Sequence, residues 1–323
     1  MKTILFPGLS RSVAPVCFGT VHFGDRVQAE EAFALLDAYV RAGGNFIDTA
    51  NCYGRWLPPG ENVSEQMLGE WLRRRGYRKE LLLSTKGGHP PFGDMGHSRL
   101  SQKELELDLE SSLRALGTDC VDVYWLHRDE PALPAEELVE RLEGFRKQGK
   151  LLAYGVSNWS ATRLEEAARY AARQSYSGFC GVQNQWSLAA VNPEQIGDRT
   201  LVCMDQEQYR LLEEGQGRLG ILAFSAMGKG FFSRESAGTL APDALPEYRN
   251  QCNCRRLQAL RQLAGEKGVS IAALVLAWMA AKPFPAVPIA TVSSQAHLDE
   301  LTQAFQISLD QEEVALLDAG RSY

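Results

Sequence analysis

Eight short apolar runs, nearly every one followed by a stretch with helical spacing, limit the folds open to this chain more than any other feature. The runs fall at residues 14–20, 45–48, 81–85, 121–126, 152–156, 181–185, 220–224 and 286–289. Between and after them, apolar residues recur at three- and four-residue intervals over 29–42, 64–75, 101–116, 134–148, 161–173, 255–267, 271–281, 295–304 and 310–318. Gly43-Gly44, Gly76 and Gly117 stand where helices would stop, and Ser101-Gln102-Lys103-Glu104 has the form of a capping box. Residues 193–214 read as an irregular passage. Strand-helix alternation implies a parallel sheet, and eight units favour closure into a (β/α)8 TIM barrel over an open doubly wound sheet. No Gly-x-Gly-x-x-Gly follows the first strand, against a Rossmann unit.

Residues 3–6 and 14–20 flank Pro7-Gly8-Leu9-Ser10 and read as an N-terminal β-hairpin leading into the first barrel strand. Such a barrel takes about 250 residues. The 323 residues therefore suit one domain over 1–323, with the hairpin and extra C-terminal helices.

Composition excludes several functions. A net charge of -6 gives no basic face for nucleic acid. The opening residues are too short for a signal peptide, and the most apolar stretch, 271–281, falls short of the about 20 residues a membrane span needs. Seven scattered cysteines suit a reducing compartment, so a cytoplasmic protein is expected. Cys252-Asn253-Cys254 lacks a partner cluster, and none of the five histidines forms a His-x-His pair, so no metal site is expected.

The chemistry gathers at three consecutive strand ends. The second run delivers Asp48, with Tyr53 five residues on; the third stops at Lys86 and the fourth at His127. In a barrel these carboxyl ends form the catalytic face. Taken singly, Asp48 reads as a cap, Tyr53 as a packed aromatic, Lys86 as a solvated strand end and His127 as a rim residue. Together they make a connected set. A phenol near pKa 10 needs help to give up a proton at neutral pH. Lys86 would lower it by stabilising the phenolate, Asp48 would hold Lys86 charged, and His127 would orient a carbonyl oxygen. Such a set protonates an oxygen on which negative charge develops, which calls for a hydride from elsewhere.

These residues resemble the aldo-keto reductase superfamily. Asp48-Thr49-Ala50-Asn51-Cys52-Tyr53-Gly54, Leu83-Ser84-Thr85-Lys86, Trp125-Leu126-His127-Arg128-Asp129, Gly155-Val156-Ser157-Asn158-Trp159 and Val182-Gln183-Asn184-Gln185 carry the likeness, which runs from about residue 13 to 309. It implies a carbonyl reductase or alcohol dehydrogenase using NADP(H) or NAD(H), with Tyr53 as proton donor. It further implies Ser157, Asn158 and Gln183 at the nicotinamide carboxamide, Thr20 near the ribose, and Phe224 stacked on the nicotinamide. Ser225, Met227, Gly228 and Lys229 would lie in a loop over the pyrophosphate. Where many relatives carry basic groups for the adenosine 2'-phosphate, this chain has Ser293, Ser294 and His297, with Leu301 in place of an asparagine. NAD use is thereby opened, because an absent guanidinium removes a bidentate phosphate contact.

Trp56, His89 and Trp186 follow strand ends and are expected to meet the substrate. Aromatic faces beside polar groups suit a sugar or other polyhydroxylated carbonyl compound, and equally an aromatic aldehyde. The expected partners are small carbonyl or alcohol substrates, with no membrane or nucleic acid. A second class of function is a cofactor-sensing regulatory protein on the same scaffold. Oligomeric state is not encoded legibly.

Overall fold

The computed structural model describes residues 2–319, so the extreme ends of the expected 1–323 unit lie outside the described residues. Strands β1 (Cys17–Gly19), β2 (Phe46–Asp48), β3 (Leu82–Gly87), β4 (Val121–Leu126), β5 (Leu151–Ser157), β6 (Gly181–Gln183), β7 (Gly220–Ala223) and β8 (Ala286–Thr291) close in chain order into a parallel barrel. The closing pair is β8 with β1, where Phe18 stands opposite Ala290. Around it lie α1 (Ala29–Arg41), α2 (Val63–Arg75), α3 (Gln102–Leu116), α4 (Ala135–Lys147), α5 (Ala161–Gln174), α6 (Gln206–Glu214), α7 (Phe231–Ser236), α8 (Gln251–Lys267), α9 (Ile271–Ala280), α10 (Gln295–Ala304) and α11 (Gln311–Asp318).

Two local expectations are corrected. The passage expected to be irregular holds α6, capped by Asp205, whose side chain accepts the Gln208 backbone N–H. Only Gln208 and Leu212 of its nine residues are buried, so the apolar period is too thin to read. At α3, Ser101 Oγ does accept the Glu104 backbone N–H at 3.3 Å, but the Glu104 carboxylate takes the serine hydroxyl at 2.7 Å. The reciprocal capping box is complete at Asp310 and Glu313 instead. Gly76 and Gly117 end α2 and α3 in the left-handed region, at φ of 73° and 66°, as the sequence requires.

The N-terminal hairpin is reduced to one antiparallel rung, Ile4 with Val13. It carries Phe6, Leu9 and Val13 into an inner cluster with Cys17, Phe46, Leu82, Val123, Trp125, Ala153, Cys180, Leu222 and Val287. These strand residues share one parity, because successive side chains alternate between the barrel interior and the helix layer. Gly155 must be a glycine for the same reason: a Cβ there would come within 2.3 Å of the Trp125 ring. The outer faces pack on the helices in a second, larger core.

Among the described residues no single helix is long and apolar enough to cross a membrane. The most apolar, α9, is buried along eight of its ten residues.

Candidate active site

Following the interior parity up each strand locates the functional side chains. Phe46 leads to Asp48, Leu82 to Ser84 and Lys86, Trp125 to His127, and Ala153 to Ser157. The apolar plug at the bottom thus gives way to a polar layer at the carboxyl ends without any change of register.

In that layer Lys86 is spent completely. Its ammonium donates to Asp48 Oδ2 at 2.5 Å, to the Thr49 carbonyl at 2.6 Å and to the Tyr53 hydroxyl oxygen at 3.1 Å. Because an ammonium has three protons, the phenol oxygen acts as acceptor and keeps its own proton free. Asp48 Oδ1 takes the Ser84 hydroxyl at 2.5 Å and the Gln183 amide at 3.1 Å. Lys86 and Asp48 are each 1% exposed. Burial opposes the charge on Lys86, but Asp48 and the phenol overcome it and raise its pKa. Removing either member of such a buried pair leaves a stranded charge.

The expectation that Lys86 lowers the Tyr53 pKa is corrected in its net direction. Burial is the largest influence and holds the phenol above its ordinary value; the nearby ammonium pulls downward without prevailing. The phenol of Tyr53 is therefore protonated at neutral pH. His127 is likewise uncharged: burial, then His89, Arg128 and Lys86 depress it well below the usual imidazole value. Its Nδ1 lies 3.6 Å from Cys52 Sγ, and burial pushes that thiol up to about 12, so it stays protonated.

Around the phenol the aromatic groups form a closed circuit. Ring centroids lie 6.4 Å apart for Tyr53 and Trp56, 5.9 Å for Trp56 and Phe92, 5.1 Å for Phe92 and His89, 4.7 Å for His89 and His127, and 6.2 Å for His127 and Tyr53. Trp56 and Phe92 remain 39% and 51% exposed. A cavity of about 230 Å³ lies beside this circuit, walled by Cys52, Arg55, Lys86, His89, Phe92 and Arg99 among others.

Trp186 is not part of it. Its indole is packed among Trp278, Phe284 and Tyr209, at 5.3, 5.9 and 6.3 Å between centroids. Following an interior strand, it turned outward into the helix layer, which corrects the expected substrate contact.

Ser157, Asn158 and Gln183 come together at the ends of β5 and β6, where Ser157 faces Gln183 in register. Their polar atoms already have partners: Ser157 donates to the Gln183 carbonyl, and Asn158 donates to the His127 carbonyl and Ser157 Oγ. Thr20 is buried against Ser64, whose hydroxyl donates to it at 2.8 Å. After β7, Phe224 is half-buried, and Ser225, Gly228, Lys229 and Gly230 all have positive φ, between 52° and 75°. Met227 is partly buried beside them. After β8, Ser294 caps α10 by accepting the His297 N–H, and Ser293 Oγ sits 3.1 Å from His297 Nδ1. Leu301 is buried.

Sequence reasoning missed the second layer. Glu65 on α2 is fully buried and accepts the Thr85 hydroxyl at 2.5 Å and the Asn62 amide at 2.7 Å, tying the helix to the outer face of β3. Asp108 on α3 accepts the Gly88 N–H and pairs with Arg99 at 2.8 Å. Arg128 donates to the His127 carbonyl and pairs with Asp198. For Glu65 and Asp108 the only signal was a charged residue at a helix position facing inward; Arg128 lies in the loop after β4 and carried none.

A model of the aldo/keto reductase family matches residues 15–321. A norsolorinic acid reductase of Emericella nidulans is 31% identical over 96% of this chain and 79% of its own length. An aryl-alcohol dehydrogenase [NADP(+)] of Phanerodontia chrysosporium is 27% identical over 97% and 84%. A probable voltage-gated potassium channel subunit beta of Oryza sativa is 29% identical over 94% and 91%. In fold, the chain is similar to a thermostable aldo-keto reductase crystallised with the inhibitor epalrestat, with a TM-score of 0.74 over 99% of both chains at 24% identity. With the barrel, the motifs and the family match in agreement, the chain belongs to the aldo/keto reductase family and is an NAD(P)-dependent oxidoreductase.

Proposed function

We propose that the chain interconverts aromatic aldehydes or ketones and the corresponding aryl alcohols, with Tyr53 as the proton donor to the nascent alkoxide. The observation that carries the substrate class is the circuit of five rings that includes the phenol, with Trp56 and Phe92 open to solvent. Flat apolar faces of this kind bind flat substrates. The names of two relatives, an aryl-alcohol dehydrogenase and a reductase of norsolorinic acid, support the same class. A sugar or cyclitol is the weaker alternative, since the mouth offers few uncommitted hydroxyl partners.

Each residue has a separable task. Tyr53 gives its free proton to the carbonyl oxygen as charge grows there. Lys86, already 3.1 Å from the phenol oxygen, stabilises the phenolate left behind, and Asp48 holds Lys86 in place and charged. His127 is neutral and donates one N–H to the substrate oxygen; with Cys52 Sγ 3.6 Å from Nδ1, a thiol donating there places that N–H at Nε2.

The residues after β7 and β8 fit a nicotinamide dinucleotide. Four left-handed residues within Ser225 to Gly230 wind this loop into tight turns that hold the exposed ammonium of Lys229 at the rim, where it can meet a phosphate. The N-terminus of α10 opens directly after β8. Because β7 and β8 pair, both features lie at one rim, where barrels hold phosphate. Bound there, the nicotinamide would supply or accept the hydride. Gln183, Ser157 and Asn158 would hold the carboxamide, Phe224 would stack, and Thr20 would shape the ribose wall. Residues 286–304 contain no lysine or arginine, so discrimination for the 2'-phosphate is weak, and binding of NADPH more than about a hundredfold tighter than NADH would refute this.

The test is turnover of a panel of aryl aldehydes, aryl alcohols, sugars and cyclitols with both cofactors. Tyr53→Phe should lower kcat about 10²- to 10⁴-fold while cofactor quenching of intrinsic fluorescence persists. Turnover of sugars without aryl compounds would overturn the substrate class. The channel-subunit relative favours one second reading, a cofactor-sensing regulatory role, which would survive Tyr53→Phe unchanged.

A further inference from the structure

We propose that Cys52, His89 and His127 form a binding site for a zinc-class divalent metal ion, and that occupancy of this site inhibits the enzyme. A ligand atom from each residue lies within 4.8 Å of the other two, and all three residues are buried. One thiol and two imidazoles are the ligand set of borderline-soft ions, with a fourth position left for water.

Three observations beyond that cluster point the same way. Cys52 Sγ and His127 Nδ1 are already 3.6 Å apart, close to the roughly 3.5 Å edge that bonds of about 2.0–2.3 Å give a tetrahedral site. His89 Nδ1 is held 2.6 Å from the Pro90 carbonyl, so its Nε2 carries the lone pair. That is the outer-shell arrangement typical of metal-bound histidines. Finally, Cys52 and His89 both line the cavity of about 230 Å³, which gives an ion room to reach them beside the aromatic circuit.

Coordination is balanced by loss of one proton. The ion replaces the hydrogen of the Cys52 S–H directed at His127; the thiolate and two imidazole lone pairs bind it, and the proton leaves to solvent. Because Cys52 Sγ and His127 Nδ1 already stand near tetrahedral spacing, 3.6 Å apart, coordination pins the His127 ring to the ion. Its N–H can then no longer adjust to the substrate oxygen, and turnover falls. This last step rests on the reductase reading above; metal binding does not.

Cobalt(II) is the probe, since thiolate coordination gives a near-ultraviolet charge-transfer band. The full chain carrying Cys252→Ser and Cys254→Ser should develop that band at one equivalent. Adding Cys52→Ser should abolish it, and His89→Gln should weaken binding at least tenfold, each in protein shown folded by circular dichroism. Zinc(II) should displace the cobalt and inhibit aryl-aldehyde reduction, with EDTA restoring activity, and Cys52→Ser should raise the inhibiting concentration at least tenfold. No band, or a band unchanged by Cys52→Ser and His89→Gln alike, overturns the site. A band in a protein that turns over no carbonyl leaves the site standing and removes the reductase reading. Turnover unaffected by bound zinc removes the inhibition.

Discussion

Between β2 and β4 the mouth of the barrel is charged and sealed, with Asp48 and Lys86 1% exposed and every ammonium proton assigned. At the rim of β7 and β8 Lys229 is 59% exposed and paired with Glu247 at 2.6 Å, on a loop rich in left-handed residues. The first region fixes a proton and a charge in one arrangement, because in a low-dielectric site any unmatched group is expensive. The second keeps its ammonium open to solvent, where a ligand that brings its own charge can reach it. On the proposed reading, reaction chemistry is placed where solvent cannot compete, and recognition where a ligand can arrive.

The contrast can be broken by substitution on each side. Lys86→Met strands the Asp48 carboxylate and should destabilise the fold by about 3–5 kcal/mol, read by denaturant unfolding, with activity lost as well. A variant with unchanged midpoint would mean that the sealed region is not held by its charges. Lys229→Ala should weaken cofactor binding roughly tenfold, the effect of one charge-assisted contact, while stability stays within about 0.5 kcal/mol. A large loss of stability there would erase the distinction.

The smallest effect is on pH. His89 is lowered to about 4, by burial first and Arg128 second, and burial holds His127 well below the ordinary imidazole value. Groups that are neutral when folded but protonate near 6.5 when unfolded contribute stability above pH 6.5. It is lost as pH falls from about 6.5 towards about 4. Burial raises Glu65, which opposes the loss. The melting temperature should therefore decline by a few degrees over this interval, and Lys229→Ala should leave the slope unaltered. kcat should show no inflection near 6.5 from His127.

The alternation of apolar runs and helical periods, and the residues at the strand ends, were legible because both follow from local rules. A strand must alternate its faces, so Asp48, Lys86 and His127 were bound to share an interior once the strands were placed. Trp186 was not legible, because the alternation that turns Val182 and Trp186 into the helix layer runs on past β6 only where Gln185 bridges Cys203 and Phe224, and nothing local marks that extension. Nor was α6, whose nine residues bury too little to advertise themselves.

What the sequence alone determined is the barrel, the family and the identity of the four groups at the mouth, since periodicity and motif spacing are one-dimensional properties. Only the tertiary structure decided that burial outweighs Lys86 in setting the state of Tyr53, that Trp186 belongs to the core, and that Cys52 and His89 converge on His127. Desolvation and the meeting of residues 37 positions apart, such as Cys52 and His89, depend on how the β2 and β3 loops fold over one another, which no stretch of the chain specifies by itself.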